Sequence, residues 1–166
     1  MLKTLARALA ALIIAHPILA GPAFAATATG NMNVRINIVA ECKVVTATDM
    51  DFGTTGVIDA NVDQTSSITV QCTNSTPYTV GLNAGGGIGA TVAVRKMTGP
   101  ASATVNYSLY RDAARTQVWG FTPGTDTVAS TGNGNPQTMT VYGRVPVQTT
   151  PGAGAYSDIV AITVQY

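Results

Sequence analysis

The stretch N-M-N-V-R-I-N-I at residues 31–38 decides how the chain is interpreted, because its polar and apolar residues alternate strictly. Successive side chains of a β-strand point to opposite faces, so this pattern predicts a strand with one apolar and one polar face. The apolar face carries Met32, Val34, Ile36 and Ile38. Such a strand can close its own sheet, or it can leave the body of the protein and complete the sheet of another molecule.

The first 25 residues have the pattern of a secretory signal peptide. Two basic residues precede an apolar run at residues 9–15, and A-F-A at residues 23–25 is a cleavage site. The alternative is a transmembrane helix, which needs roughly 20 consecutive apolar residues. This run is shorter and is followed by Pro17. We therefore expect an exported chain without a membrane span.

The charge of the mature chain is close to zero. Removal of residues 1–25 takes away two of the 9 basic residues, so that 7 remain against 8 acidic ones. Such a balance provides no basic patch for nucleic acid and no polybasic membrane anchor.

The chain contains two cysteines, Cys42 and Cys72, and both remain in the mature chain. An even number of cysteines in an exported protein favours a disulfide over two free thiols. In the chain-entropy model, a disulfide that closes a loop of about 30 residues stabilises the fold by roughly 3–4 kcal/mol.

Short alternating runs separated by Gly, Pro, Asn and Ser follow from residue 43 to the end. No long stretch after residue 26 has the 3.6-residue period of a helix. Seven or eight short strands with this spacing are typical of an all-β antiparallel sandwich, and residues 122–136 are predicted to be a loop. The predicted strands are residues 43–46, 66–72, 78–82, 91–97, 104–111, 117–121, 137–145 and 158–166.

The sequence lacks the residues that common catalytic and metal sites need. His16 is the sole histidine and is removed with the signal, which excludes Ser-His and Cys-His pairs and histidine-based metal sites. Asp49 and Asp51 could hold a cation on a strand, but a turn in which they cap backbone N–H groups is favoured. Asp59 and Asp63 lack a calcium-loop pattern and are read as loop carboxylates. We expect no enzyme, no cofactor and no metal.

Two further patterns have a functional and a structural interpretation. The three glycines at residues 85–87 lack the Gly-Lys-Ser/Thr ending of a phosphate-binding loop, so we expect a flexible connection. Five aromatic residues could form a sugar-stacking surface or the core of the sandwich, and the core is favoured. They are Tyr107, Tyr110, Trp119, Phe121 and Tyr142.

Several segments in order resemble the spore coat protein U domain family, which includes the major subunits of archaic chaperone–usher pili. The longest is Y-S-L-Y-R-D-A-A-R-T-Q-V-W-G at residues 107–120. No single segment would suffice, but the ordered set covers nearly the whole mature chain. The others are F-G at 52–53, V-Q-C at 70–72, P-Y-T-V-G-L at 77–82, R-K-M at 95–97, V-Y-G-R-V-P at 141–146 and G-A-Y-S-D at 154–158, with Tyr166.

The resemblance implies an immunoglobulin-like antiparallel β-sandwich that lacks its last strand and is completed by an N-terminal strand from a neighbouring subunit. Residues 26–40 would be the donor-strand extension, and residues 41–166 the incomplete pilin domain. Cys42 and Cys72 match the family disulfide. Whether Val39 and Ala40 end the donated strand or begin the chain's own first strand is open. The donor face would be Met32, Val34, Ile36 and Ile38, and the C-terminal strand beside the acceptor groove Val160, Ile162, Val164 and Tyr166.

The partners that the resemblance implies are other copies of the chain in a linear homopolymer, a periplasmic chaperone that grips Tyr166, an outer-membrane usher and a tip adhesin. The expected function is a structural subunit of an extracellular fimbrium, exported through the periplasm, that supports attachment and biofilm formation. Two other functions are a self-closed secreted sandwich that binds carbohydrate through Trp119 and neighbouring tyrosines, and a structural protein of a spore's outer coat.

Overall fold

The computed structural model describes Gly21 and residues 24–166. The chain divides into two compact units, Met1–Ile36 and Asn37–Tyr166. The predicted signal peptide lies almost wholly outside the described residues. Within them, no helix is long and apolar enough to cross a membrane.

The described residues of the first unit contain neither helix nor strand. The side chains of Met32, Val34 and Ile36 are 84%, 82% and 86% exposed, and Ile38 at the start of the second unit is 72% exposed. An isolated strand leaves its backbone groups unpaired and its apolar face in water, so alternation without a neighbouring strand does not produce one. The role of residues 31–38 as a donated strand stays a prediction.

The second unit is built almost entirely of β-strands, and its one described helical turn is a 3-10 turn at Pro100–Ser102. The eight strands are β1 (Cys42–Ala47), β2 (Val62–Cys72), β3 (Pro77–Leu82), β4 (Arg95–Thr98), β5 (Thr104–Tyr110), β6 (Val128–Thr131), β7 (Gln137–Val145) and β8 (Ile162–Gln165).

These strands form two antiparallel sheets, one in the order β1-β2-β7-β5-β4 and the other in the order β6-β3-β8. The alternating apolar residues of both sheets meet in a single core. This architecture confirms the predicted all-β antiparallel sandwich. The most deeply buried members of the core are Val70, Cys72, Val80, Leu82 and Trp119.

Cys42 and Cys72 lie directly opposite each other where β1 pairs with β2, and they form the predicted disulfide. The bond therefore ties the edge strand β1 to the interior of the five-stranded sheet.

The predicted strand at residues 91–97 is shorter in the structure, where β4 begins at Arg95. The preceding backbone is used in a turn, because Thr91 N donates to Val94 O over 2.9 Å and Val94 N donates to Thr91 Oγ1 over 3.1 Å. The carbonyl of Val92 accepts a further hydrogen bond from Arg95. These backbone groups are therefore not available to a strand ladder.

One strand prediction and one loop prediction also fail in neighbouring parts of the chain. Residues 117–121 form one isolated bridge, between Tyr110 and Val118, and no strand. Residues 122–136 were expected to be loop but contain β6, which pairs with Pro77–Leu82. The run V-A-S-T carries one large apolar residue, so its partner strand rather than its own pattern makes it a strand.

Candidate functional site

Strand β8 lies at an edge of the three-stranded sheet and pairs with β3 on one side, with Ile162 opposite Leu82 and Val164 opposite Val80. On its other side, the described residues provide no strand partner. An edge strand presents a row of unpaired backbone donors and acceptors. This edge of β8 is therefore able to accept an added strand.

A cavity of about 460 Å³ opens beside this edge, and we call it the edge groove. One wall is formed by residues 47–50 and Phe52, where the chain leaves β1. The other wall is formed by residues 158–160 and Ile162. Both walls belong to the second unit.

The floor of the edge groove belongs to the core itself. It includes Ile68 of β2, Leu82 of β3, Leu109 of β5 and Val141 of β7, all of which are buried. Because these residues come from both sheets, the groove is a gap in the sandwich that reaches its apolar interior. Its shape suits a row of apolar side chains carried on one face of an extended segment.

The second wall is held in place by Asp158. Its Oδ2 accepts a hydrogen bond of 2.7 Å from Tyr107 Oη, and its Oδ1 accepts from the backbone N–H groups of Gly86 and Ile159. Burial, and then the hydrogen bond to Asp158, raises the pKa of Tyr107 far above its usual value, so the phenol remains protonated and donates. The wall is thereby joined to β5 and to the glycine loop.

Asn83 fixes the next part of the same wall. Its side-chain Oδ1 accepts from Ala161 N over 2.8 Å and from Gly85 N over 3.0 Å, and its own N–H donates to Ala161 O. The N–H groups of Ile159 and Ala161 therefore bond to side-chain oxygens instead of a strand ladder, and β8 starts only at Ile162 although the alternation begins earlier.

The glycines at residues 85–87 have a packing role in this arrangement. A Cβ atom at Gly85 would lie 2.0 Å from Asp158 Oδ2, and one at Gly87 would lie 2.3 Å from the backbone O of Lys96. Glycine is therefore needed because the loop approaches both the groove wall and β4 closely.

A fully buried arginine supports the loop from below, and sequence reasoning did not identify it. The Arg95 side chain donates through Nε to Asn83 O, through Nη1 to Val92 O, and through Nη2 to Leu82 O and Trp119 O, over 2.7–3.0 Å. Burial lowers its pKa, and the nearby carboxylates of Asp158 and Asp126 act in the opposite direction. Met97 lies two residues after Arg95 and therefore on the same face of β4. This apolar residue is the sequence feature that could have indicated that this face points to the core.

The predicted acceptor residues separate into two groups. Val160 and Ile162 line the edge groove, and Val164 packs against the core beside them. Tyr166 is 61% exposed and lies with Gln165 at a separate surface depression of about 660 Å³. Three of the four residues are therefore at or next to the groove, and the fourth is not.

The structure contradicts a carbohydrate site centred on Trp119. This residue is fully buried, and its Nε1 donates to Val80 O over 2.8 Å, so its ring cannot stack on a sugar. Tyr107 is buried as well. Tyr110 and Tyr142 are half-buried neighbours on the other face of the large sheet.

Two of the acidic residues considered as cation ligands have ordinary structural roles. Asp51 Oδ1 accepts from Gly53 N over 2.8 Å, the turn cap that was expected. Asp63 was expected in a loop but lies on β2, where its two carboxylate oxygens accept from Arg144. Among the described residues, no group of three or more His, Cys, Asp or Glu side chains could hold a metal ion.

Comparison with known sequences identifies a family over most of the chain. Residues 28–163 match the Spore Coat Protein U domain. Protein U of Myxococcus xanthus is 35% identical over 159 residues, and the similarity covers 87% of this chain and 88% of that protein.

Among solved structures, a similar chain occurs in the CsuC–CsuE chaperone–tip adhesion subunit pre-assembly complex from the archaic chaperone–usher Csu pili of Acinetobacter baumannii. The match has a TM-score of 0.58 and 22% sequence identity. It covers 78% of this chain and 40% of the other, so this chain spans less than half the length of its structural neighbour. That likeness concerns the fold, whereas the sequence matches decide the family: this chain belongs to the Spore Coat Protein U domain family.

Proposed function

We propose that this protein is a structural subunit of a bacterial surface pilus of the archaic chaperone–usher type, without catalytic activity. In this proposal the edge groove of one copy receives residues 31–38 of another, which we call the donor segment. The observation that carries the proposal is the gap of about 460 Å³ that reaches the core beside the unpaired edge of β8.

The donor segment has the chemistry that this groove requires. In an extended chain its four apolar side chains lie on one face, which can contact the apolar floor of the groove, and its backbone can pair with β8. Burying four such side chains contributes about 6–12 kcal/mol at roughly 1.5–3 kcal/mol each. Association costs about 4–15 kcal/mol, and the added ladder bonds help to offset it. These magnitudes are compatible with a linear non-covalent fibre, whose long persistence would come from slow release of the strand.

The same groove explains why the subunit would need help before assembly. An exposed strand edge above an open core invites aggregation, so we expect a periplasmic chaperone to occupy the groove until the donor segment replaces it. Export to the periplasm, an outer-membrane usher, a tip adhesin and roles in attachment and biofilm formation belong to this proposal. It draws on the family match and on the structural neighbour, which comes from a chaperone–subunit complex.

A second candidate function is a structural protein of a spore's outer coat, which the name of the matching family favours. The same strand exchange would assemble such a coat. Electron microscopy of producing cells distinguishes the two, because a pilus projects from the cell surface as a thin fibre and a coat forms a layer.

The test is removal of the donor segment from the chain. A chain lacking residues 26–38 should still bind its co-expressed chaperone but should not polymerise, as measured by size-exclusion chromatography and electron microscopy. A synthetic peptide of residues 26–40 should then displace the chaperone and yield a soluble complemented monomer. A truncated chain that folds as a stable monomer with neither chaperone nor peptide would show that the groove needs no donor.

A further inference from the structure

The edge groove and the donor segment carry opposite charges. Two carboxylates, Asp49 and Asp158, line the groove, and no lysine or arginine does. The predicted extension, residues 26–40, contains a single charged side chain, Arg35. This inference rests on the proposed function and adds to it the way in which the donated strand is aligned.

The two groove carboxylates are not equivalent. Asp158 already accepts hydrogen bonds from Tyr107, Gly86 and Ile159. Asp49 is exposed on the opposite wall, and within the described part of the chain its carboxylate has neither a hydrogen-bond donor nor an ion-pair partner. Asp49 is therefore the carboxylate that remains available to an incoming cation.

Arg35 and Asp49 both face solvent at the groove once the donor segment is seated. Asp49 is exposed, whereas the adjacent Met50 packs against the core. Arg35 lies between Val34 and Ile36, so it is directed outward when those two side chains fill the groove. Residues 48–52 form no strand, so the pair would join the donated strand to the loop that follows β1.

The apolar pattern alone does not fix that register. A shift of one residue would turn the apolar face away from the core, but a shift of two residues keeps it there. The other polar positions of the donor segment are Asn31, Asn33 and Asn37, which are chemically identical. Only the position of Arg35 along the groove therefore distinguishes two registers that differ by two residues.

We propose that Arg35 of the donated strand pairs with Asp49 of the accepting copy, and that this pair selects one register among those that the alternating apolar residues permit. Asp51, the next carboxylate along the chain, does not line the groove, and its Oδ1 already caps Gly53 N.

The test uses the chaperone-bound chain lacking residues 26–38 and a fluorescent peptide of residues 26–40. Arg35→Glu in the peptide, or Asp49→Arg in the subunit, should each speed peptide dissociation by about two- to fivefold, the range for an exposed ion pair. Combining the two substitutions should restore the slow rate. Asp51→Arg is the matched control and should change the rate less than Asp49→Arg.

A second measurement reports the register directly and needs no change in the subunit. The peptide with Arg35→Lys, bound to the unaltered groove and treated with a zero-length carbodiimide, should form an amide bond between the new amine and the Asp49 carboxylate. Mass spectrometry of the product identifies the coupled residue. Coupling to Asp51 instead of Asp49 would overturn the proposed register.

The outcomes separate this inference from the function on which it rests. If the unaltered peptide binds, but Arg35→Glu leaves its dissociation rate unchanged or the double reversal fails to restore it, the charge pair is wrong and strand donation stands. If the unaltered peptide does not enter the groove, both proposals are wrong.

Discussion

Tyr107 and Asp158 are joined by a hydrogen bond of 2.7 Å that links the interior of the five-stranded sheet to a wall of the edge groove. Tyr107 is buried on β5, and Asp158 lies where the chain approaches β8. Because Asp158 also accepts from Gly86 and Ile159, one carboxylate orders the glycine loop and the wall together. Asp158 therefore fixes this wall of the groove from inside the sandwich.

Removing the phenol should weaken this wall. We expect Tyr107→Phe to lower the free energy of unfolding of the peptide-complemented subunit by about 1–3 kcal/mol, because Asp158 loses a partner at a half-buried site. Chemical denaturation followed by tryptophan fluorescence measures the change. Tyr110→Phe is the matched control on the same strand, since its hydroxyl forms no hydrogen bond among the described residues. Equal losses for the two variants would contradict the special role of Tyr107.

The ion pairs of Asp63 should give the subunit a pH-dependent contribution to stability. The hydrogen bond from Arg144 lowers the pKa of Asp63 most; burial opposes it, and the charges of Arg115 and Arg144 lower the pKa further. A carboxylate whose folded pKa lies below its unfolded value of about 3.9 stabilises the fold above that value. The contribution is lost as the pH falls through the folded pKa.

Asp63→Asn should therefore reduce the free energy of unfolding at pH 7 by up to about 1 kcal/mol, a small value because these side chains are exposed enough for solvent to screen them. The difference from the unaltered chain should shrink as the pH falls below about 4. Urea denaturation at several pH values measures it. Asp59→Asn, in a loop, should show no comparable pH-dependent difference.

Alternation predicted the parts of the fold in which one strand face is buried and the other is not. Residues 137–145 were predicted with the bounds that β7 has, and Val141 and Val145 are buried as the pattern requires. Alternation is a poor predictor where side chains bond to the backbone groups that a strand ladder would otherwise use. Trp119 lies outside the strands: its N–H donates to Leu109 O, but its carbonyl accepts from the Arg95 side chain.

The sequence predicted only one of the two walls of the candidate site. The alternation of Val160, Ile162 and Val164 indicated one wall from sequence, and the structure places these residues at or beside the groove. The hydrogen bond between Tyr107 and Asp158 joins residues 51 positions apart, and no local sequence pattern predicts it. The opposite wall, around Asp49, was read as a turn, because only the packed sandwich shows that it faces a gap.

The two faces of the donor segment should respond differently to the same added charge. Ile36→Asp places a carboxylate on the apolar face, where burial in the groove would require its desolvation, so assembly should be blocked. Asn37→Asp adds the same charge to the polar face and should leave assembly largely intact. Fibre yield by electron microscopy and peptide binding by fluorescence anisotropy measure both effects. Equal effects of the two substitutions would contradict the predicted orientation of the strand.

The groove wall can be tested without disturbing the core, because the chain contains two isoleucines of nearly equal exposure. Ile159 is 85% exposed and lines the edge groove, whereas Ile88 is 89% exposed and does not. If the donor segment covers Ile159, Ile159→Ser loses an apolar contact worth about 1–2 kcal/mol, which weakens peptide binding by about 5- to 30-fold. Ile88→Ser should leave binding unchanged.

Neither substitution should affect the stability of the subunit itself, since both side chains are solvated before the strand binds. Displacement of the chaperone by the peptide, followed by fluorescence anisotropy on each chaperone-bound chain lacking residues 26–38, gives the two relative affinities, and circular dichroism of the complemented forms checks the fold. A loss of affinity that is the same for both variants, or absent at Ile159, means that the donated strand does not lie against residues 158–162. In that case the unpaired edge of β8 is not where the strand adds.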